Sequence, residues 1–506
     1  MPTSIEISSA NTRRILLPKI ICGEVRHAKP GDEVTVLRYE DDIVVEIPTL
    51  TEADVEAIVA NRTLLDDIPI GAVTDFLGNA GRKMLDERDP LRNEAIAHGT
   101  LVSGFTREMF ESDYTIMGTY LSKRHLFYAL LDGELGDHHI LDEWIRNQVG
   151  RIRAFPRGRA LHIMVGNVPL ASMFSAMRSI LTKNQTLIKI PSRDPVTSTY
   201  FALLMLAANK PSNPLSRAIS CFYADKDSPC LDHLKRSSDV ICAWGKGSAL
   251  EEIKRTIPHS IPYLEFGPKR SLSVLFSADA NLRAAAMKLA HDVSVYDQEA
   301  CFSPQRLFVI GEVEPFLTEL RGFLDVFARA LPKGRTNMDA ESYLLRTRSE
   351  ARYRGWEVHA SAEWTVIVAD PHDVVDHPLS RTLFVHRIDS LDEIVPFVDD
   401  ETQTITVQPY RHAEKVADVL CPHGAQRICE SGMVASPRGG FTHDGMYPLH
   451  YFVRIAHLDE SVNYVNNIWD KAFFTQYYHK VFGSPEIADF GRLMMDQHVD
   501  DEETLP

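Results

Sequence analysis

The sequence predicts an α/β protein with two sheet-bearing regions, and three observations predict it. From about residue 155 to 266, apolar runs of five to eight residues alternate with helical stretches. Such alternation builds βαβ units, with a parallel sheet covered by helices on both faces. A second αβ region follows from about 278 to 440. Near its start stands Cys301, between an amphipathic run at 278–295 and the apolar run 306–310. The thiol is therefore expected in a helix-to-strand loop, where a rigid frame holds a reactive group at a cleft.

The totals bound the rest. A chain of 506 residues supports two or three domains with sizeable cores. Hydrophobic content of 44% and charged content of 25% are those of a soluble globular protein. A net charge of −16 argues against nucleic-acid and anionic-membrane partners, both of which demand a basic surface. Seven cysteines at irregular spacing do not read as a disulfide framework, which points to a reducing cytoplasm. No signal-peptide pattern opens the sequence, and no run of about 18 apolar residues is present to span a bilayer. Cys421, His423 and Cys429 lack the second ligand pair of a metal site, so no metal is expected.

In chain order, residues 1–50 look β-rich, with Pro30-Gly31-Asp32 as a turn. Thr51 and Asp54 form a helix start before 55–65, and Asp279 is the candidate cap of the 278–295 helix. Residues 107–131 read as helical and rich in aromatics and methionine, either core or the lining of an acyl tunnel. Strands are expected at 160–165, 186–190, 218–223, 239–244 and 263–266, with helices at 170–182, 195–208, 230–236 and 249–256 between them. Beyond these come a helix at 313–331, strands at 364–368 and 404–407, and a helix at 413–420. An aromatic-bearing helix at 458–482 and an acidic, disordered tail at 500–503 complete the reading.

Ligands of parallel sheets bind beyond the carboxyl ends of the strands, so residues just after each strand are the candidates. Asn167 follows the first strand and can donate a hydrogen bond. Lys189 closes the second, with Ser192 and Arg193 behind it. Gly245-Lys246-Gly247-Ser248 lies between a strand and a helix, where backbone N–H groups and the helix dipole favour a phosphate. Glu265 ends the fifth strand and is either functional or simply solvated. Taken together, three such strand ends suggest a nucleotide. Cys301 is either an inert buried thiol or a nucleophile.

The order Asn167, Lys189, Gly245, Glu265-Phe266-Gly267-Pro268-Lys269, Cys301 and Gly439-Gly440…His443-Asp444-Gly445 resembles the aldehyde dehydrogenase superfamily. Within it, Asp297-Gln298-Glu299-Ala300-Cys301-Phe302-Ser303-Pro304-Gln305 and the Lys189-Ile190-Pro191-Ser192 form resemble the LuxC family of fatty acyl-CoA (acyl-protein thioester) reductases. The resemblance covers roughly residues 100–480. It implies an aldehyde-dehydrogenase-like fold in four parts: a β-then-helical region at 1–100, a Rossmann-type cofactor domain at 101–277, a catalytic α/β domain at 278–440, and a C-terminal return and oligomerisation segment at 441–506. It implies NADPH-dependent reduction of a long-chain acyl thioester to the aldehyde, with NADH as the alternative coenzyme. Cys301 is then the nucleophile, and Asn167 with the Cys301 backbone N–H the oxyanion hole. Lys189, Ser192 and Arg193 reach the adenosine ribose or its 2′-phosphate, and the turn Gly245, Lys246, Gly247 and Ser248 lies against the phosphates. Glu265 matches the superfamily's water-activating residue, whose presence keeps an aldehyde-oxidising enzyme as the alternative. A non-catalytic scaffold subunit is another. The expected partners are an acyl-CoA or acyl-protein donor, an acyl-activating protein and further copies of the chain.

This sequence departs from the superfamily in three places. Asp297 heads the Gln-x-x-Cys stretch where Gly-Gln-x-Cys is general, Pro268 replaces a Gly, and no Glu-x-Phe motif is recognisable near Arg381-Thr382-Leu383-Phe384.

Overall fold

A computed structural model describes residues 5–7, 13–61, 65–147, 150–371, 376–436, 438–459 and 480. All five strands expected between 155 and 266 are present and lie in one sheet. Its order is Tyr263–Phe266, Val240–Trp244, Arg159–Ile163, Gln185–Lys189, Ile219–Phe222, then the edge strands Lys19–Ile21 and Glu24–Arg26. The five are mutually parallel; Lys19–Ile21 pairs antiparallel with Ile219–Phe222, and Glu24–Arg26 pairs antiparallel with Lys19–Ile21. The chain runs outward from Arg159–Ile163 on one side, then returns to add Val240–Trp244 and Tyr263–Phe266 on the other. That reversal opens a crevice at the carboxyl end of Arg159–Ile163, where Asn167 follows.

The second sheet is ordered Glu357–Ala360, Thr365–Val368, Thr382–Ile388, Pro304–Ile310, Arg270–Phe276, Thr402–Gln408, Arg427–Glu430. Only its first pair is antiparallel. Arg270–Phe276 belongs to this sheet rather than to the first, although the sequence reading leaves it within 101–277. Apolar clusters cover both faces: helices Leu282–Ser294 and Glu314–Ala330 on one, Leu391–Phe397 and Ala413–Leu420 on the other. A third sheet pairs Val453–Asp459 with Gly150–Pro156, antiparallel, and Ile145–Arg146 beyond it.

Local signals account for the helix ends. Thr51 and Asp54 form the capping box of Glu52–Ala60. Asp194 accepts from Val196 and Thr197 N–H at the start of Pro195–Ala207. The cap of Leu282–Ser294 is Asn281, which accepts from Ala284 N–H, rather than Asp279; Asp279 instead bonds His412 at 2.8 Å. The helical run at 107–131 is two helices, Arg107–Ser122 and Arg124–Leu135, separated by an extended Lys123. These helices share one apolar core with Pro169–Leu181 and Pro195–Ala207. The 458–482 helix falls outside the described residues, except that Leu458 and Asp459 end a strand and Lys480 is described. The 500–503 tail lies outside them entirely. Among the described residues, no helix is long and apolar enough to cross a membrane.

Candidate active site

A cavity of about 550 Å³ lies between the carboxyl ends of the first sheet's strands and the amino ends of the second's. Asn167, Trp244, Gly245, Lys246 and Phe266 line it from the first side, Cys301, Gln403 and Arg427 from the second. The two sheets thus bring a carboxamide, a glycine turn and a thiol to one space.

The loop that presents Cys301 is tightly braced. Tyr296, Asp297 and Gln298 all take left-handed conformations, with φ of 52°, 50° and 67°. Such backbone is costly for residues other than glycine and persists only where the surroundings impose it. Here they do. The Tyr296 hydroxyl donates to buried Asp113 of Arg107–Ser122, so the N-terminal helices reach the nucleophile loop. Asp297 pairs with Arg381 (Oδ1–Nε 2.6 Å) and accepts from Gly334 N–H (2.9 Å). Gln298 donates to Pro304 O and Thr382 O and accepts from Thr382 N–H. Asp at the head of the loop, where glycine is general, therefore serves as the anchor of an ion pair. Asp also tolerates left-handed backbone better than most side chains.

Cys301 itself is half-buried. Burial, then the negative charge of Asp444, push its thiol up to about 12; a hydrogen bond from Gln403 and the N–H groups of Cys301 and Phe302 pull the other way. Gln403 Nε2 stands 3.2 Å from Sγ and 2.5 Å from Asp444 Oδ1. Asn167 lines the same cavity, and its Nδ2 donates to Glu299 O at 3.1 Å. Arg193 also turns to this loop, pairing with the Glu299 carboxylate.

The expected coenzyme-contacting residues divide. Gly245 and Lys246 line the cavity, and Gly247 opens the helix Gly247–Thr256, which has no side-chain cap. A Cβ at Gly245 would meet nothing closer than 3.9 Å, and one at Gly247 nothing within 4 Å. Packing thus leaves clearance over uncapped N–H groups, which suits a phosphate; Ser248 sits one residue into that helix. Lys189 and Ser192 are not in the cavity wall. Lys189 Nζ lies over the Tyr223 ring at 5.4 Å, and Ser192 O accepts from Tyr39 OH. Arg193, expected to join them, is held instead by Glu299.

Glu265 is not brought to Cys301. Side chains alternate along Tyr263–Phe266, so while Phe266 stacks on Trp244 at 4.1 Å in the cavity wall, Glu265 faces outward. It is exposed, with Lys254 at 3.5 Å. Of the residues lining the cavity, Gln403 and Arg178 carry no motif in the sequence, and Asp444 is marked there only as part of His443-Asp444-Gly445. Gln403 lies at the amino end of a strand, where no sequence signal marks it.

Residues 65–455 match the family described as acyl-CoA reductase (LuxC). The chain belongs to that family. Relatives include the long-chain acyl-protein thioester reductase of Vibrio harveyi, 34% identical over 412 residues (80% of this chain, 86% of that one). That of Aliivibrio fischeri is 32% identical over 434 residues (85% and 90%). Similar solved structures include an NAD-dependent benzaldehyde dehydrogenase from Corynebacterium glutamicum, with TM-score 0.66, 16% identity and coverage of 88% of this chain and 98% of that one. An E. coli NADP dependent enzyme has TM-score 0.69, 14% identity and coverage of 90% and 99%. The fold is therefore that of the aldehyde dehydrogenases, and as a LuxC member the chain is an oxidoreductase.

Proposed function

We propose that this LuxC-family protein reduces a long-chain fatty acyl thioester to its aldehyde through an acyl group carried on Cys301. The observation that carries the reading is the cavity itself. It holds the thiol and Asn167 together and continues into an apolar wall of Tyr120, Leu130, Leu170, Phe174 and Met177. Tyr120 and Leu130 come from the helices where an acyl tunnel was one of two expectations. The sulfur attacks the acyl carbon and takes the acyl group as a thioester. Asn167 Nδ2 and the Cys301 backbone N–H are the donors available for the oxyanion that forms. A bound nicotinamide coenzyme supplies hydride, and the Gly245–Ser248 turn with the uncapped N–H groups behind it is where its phosphates fit. Cys301 then leaves as the tetrahedral carbon collapses to aldehyde.

The outward orientation of Glu265 weighs against the aldehyde-oxidising alternative, because that reaction needs a base to activate water beside the thioester. NADPH is the coenzyme we assign, since position 192 carries a neutral serine rather than a carboxylate that would repel a 2′-phosphate. An acyl-protein donor, the substrate that the Vibrio and Aliivibrio reductases are named for, is the substrate form we favour, delivered by an acyl-activating partner to a homo-oligomer. The test is intact-mass analysis with tetradecanoyl-CoA and no coenzyme. One acyl adduct is expected, released by NADPH or hydroxylamine and absent from Cys301→Ala. A labile adduct or aldehyde formed by Cys301→Ala refutes the reading.

A further inference from the structure

With Glu265 turned away, some other group must take the proton that the Cys301 thiol loses. Among the described residues, the carboxylates in the cavity wall are Glu299 and Asp444. Glu299 is held by Arg193. The Asp444 side chain is 5% exposed and shares one donor with the sulfur. Gln403 Nε2 reaches Sγ at 3.2 Å and Asp444 Oδ1 at 2.5 Å, so thiol and carboxylate lie no farther apart than those two bonds laid end to end. We propose that Asp444 is the proton acceptor for Cys301, with Gln403 holding the two groups together and donating to the thiolate as it forms.

The step rests on the acyl-enzyme reading, and its balance is simple. The S–H bond breaks and its proton passes to the Asp444 carboxylate, directly or through one water in the cavity. The sulfur pair forms the bond to the acyl carbon. The donor's leaving group departs with the electron pair of its own bond and takes the proton from Asp444. When aldehyde is released, the C–S pair returns to sulfur, and the Asp444 carboxylate passes on to it a proton drawn from solvent.

The electrostatics favour this pairing. An ionised Asp444 keeps the neighbouring thiol protonated, and a protonated Asp444 frees it to ionise, so the desolvated pair carries one negative charge throughout. The charged groups bearing on Asp444 are Lys269 and Arg178, both of which favour its ionised form. Partly exposed His443 beside it is driven well below its usual range by desolvation and by Arg178, so it stays neutral. Burial pushes Asp444 itself upward, while Gln403, Lys269 and Arg178 pull the other way.

The test compares wild type, Asp444→Asn and Asp444→Glu in two assays. One is single-turnover acylation by tetradecanoyl-CoA; the other is alkylation of Cys301 by iodoacetamide. Removing the charge lowers the thiol pKa, so Asp444→Asn should alkylate faster near neutral pH, about tenfold per pKa unit released. The same variant should acylate roughly 100-fold more slowly, because no carboxyl is left to carry the thiol's proton to the donor's leaving group. Asp444→Glu, which keeps a carboxylate, should recover part of the acylation rate. A merely structural role would move both rates the same way. Both rates falling together in Asp444→Asn, or acylation at the wild-type rate, overturns the proposal. Alkylation needs no acyl donor, so it decides the coupling of Asp444 to Cys301 even if no acyl-enzyme forms, while the Cys301→Ala adduct assay decides that reading separately.

Discussion

Replacing Arg381 with methionine should unfasten the nucleophile loop. Arg381 is 1% exposed and Asp297 6%, so the substitution leaves a buried carboxylate without its guanidinium. It also removes the donor to Leu331 O at 2.8 Å. Taking one partner from a buried ion pair costs about 3–5 kcal/mol. For a domain of about 150–250 residues, 3 kcal/mol corresponds to a fall of about 6–12 °C in Tm. Three consecutive left-handed residues at 296–298 add to the effect, since each stores roughly 1–2 kcal/mol that only the bracing bonds offset. The double variant Asp297→Asn/Arg381→Met isolates the charge, because Asn keeps the shape and the tolerance for left-handed backbone. It should regain about 1–3 kcal/mol over Arg381→Met. Denaturant unfolding followed by near-ultraviolet circular dichroism measures both differences. A cost below about 1 kcal/mol for Arg381→Met, or a double variant no more stable than the single, would refute the claim that this pair holds the loop.

Phe174→Trp fills the apolar wall where Phe174 meets Tyr120 edge-on at 5.1 Å, and should shift the preferred acyl chain to shorter lengths while sparing short acyl donors; an unchanged chain-length profile counts against the tunnel. Ser192→Glu should raise KM for NADPH far more than for NADH, and equal effects would show that the residue does not read the phosphate. Burial drives His162 from 6.5 down to about 3, so below pH 6.5 the unfolded chain holds a proton that the native one lacks, and stability falls as pH falls towards 3. His162→Gln should therefore flatten the pH dependence of unfolding free energy by about 1.4 kcal/mol per pH unit across that window, as read from denaturant midpoints.

The first sheet was legible because each of its parallel strands is an unbroken apolar run bounded by turn residues, and because its ligand-facing residues follow strands. Asn167 and the Gly245 turn are found by that rule. The second sheet presents the amino ends of its strands to the same cavity, so the rule points away from Gln403, the second residue of Thr402–Gln408 and one residue before the strand expected at 404–407. Thr382–Ile388 and Arg427–Glu430 escaped notice because their polar residues interrupt the apolar pattern; His386, buried in the first, is satisfied by Arg306 and Ala369 O. Asp444 stood in view within the His-Asp-Gly stretch, yet nothing in the sequence places it against a thiol more than a hundred residues earlier. Glu265 shows the converse. A motif fixes a residue's place in a strand, but the period of two fixes its face, and Phe266 holds the inward one.

Those two carboxylates bear on a single chemical choice. A thioester on Cys301 can be attacked by water or by hydride, and a base aimed at the acyl carbon favours water. Of the two carboxylates in this cavity wall among the described residues, Glu299 is held by Arg193 and Asp444 is tied by Gln403 to the sulfur rather than presented to the acyl carbon, while Glu265 lies outside with Lys254. In the reading proposed above, a carboxylate so placed assists formation and release of the C–S bond without activating water against it. The apolar wall adds to this by limiting the water around the acyl chain. An arrangement of that kind suits an enzyme that must keep its thioester intact until a reductant arrives, and it does so with the same fold that supports aldehyde oxidation elsewhere.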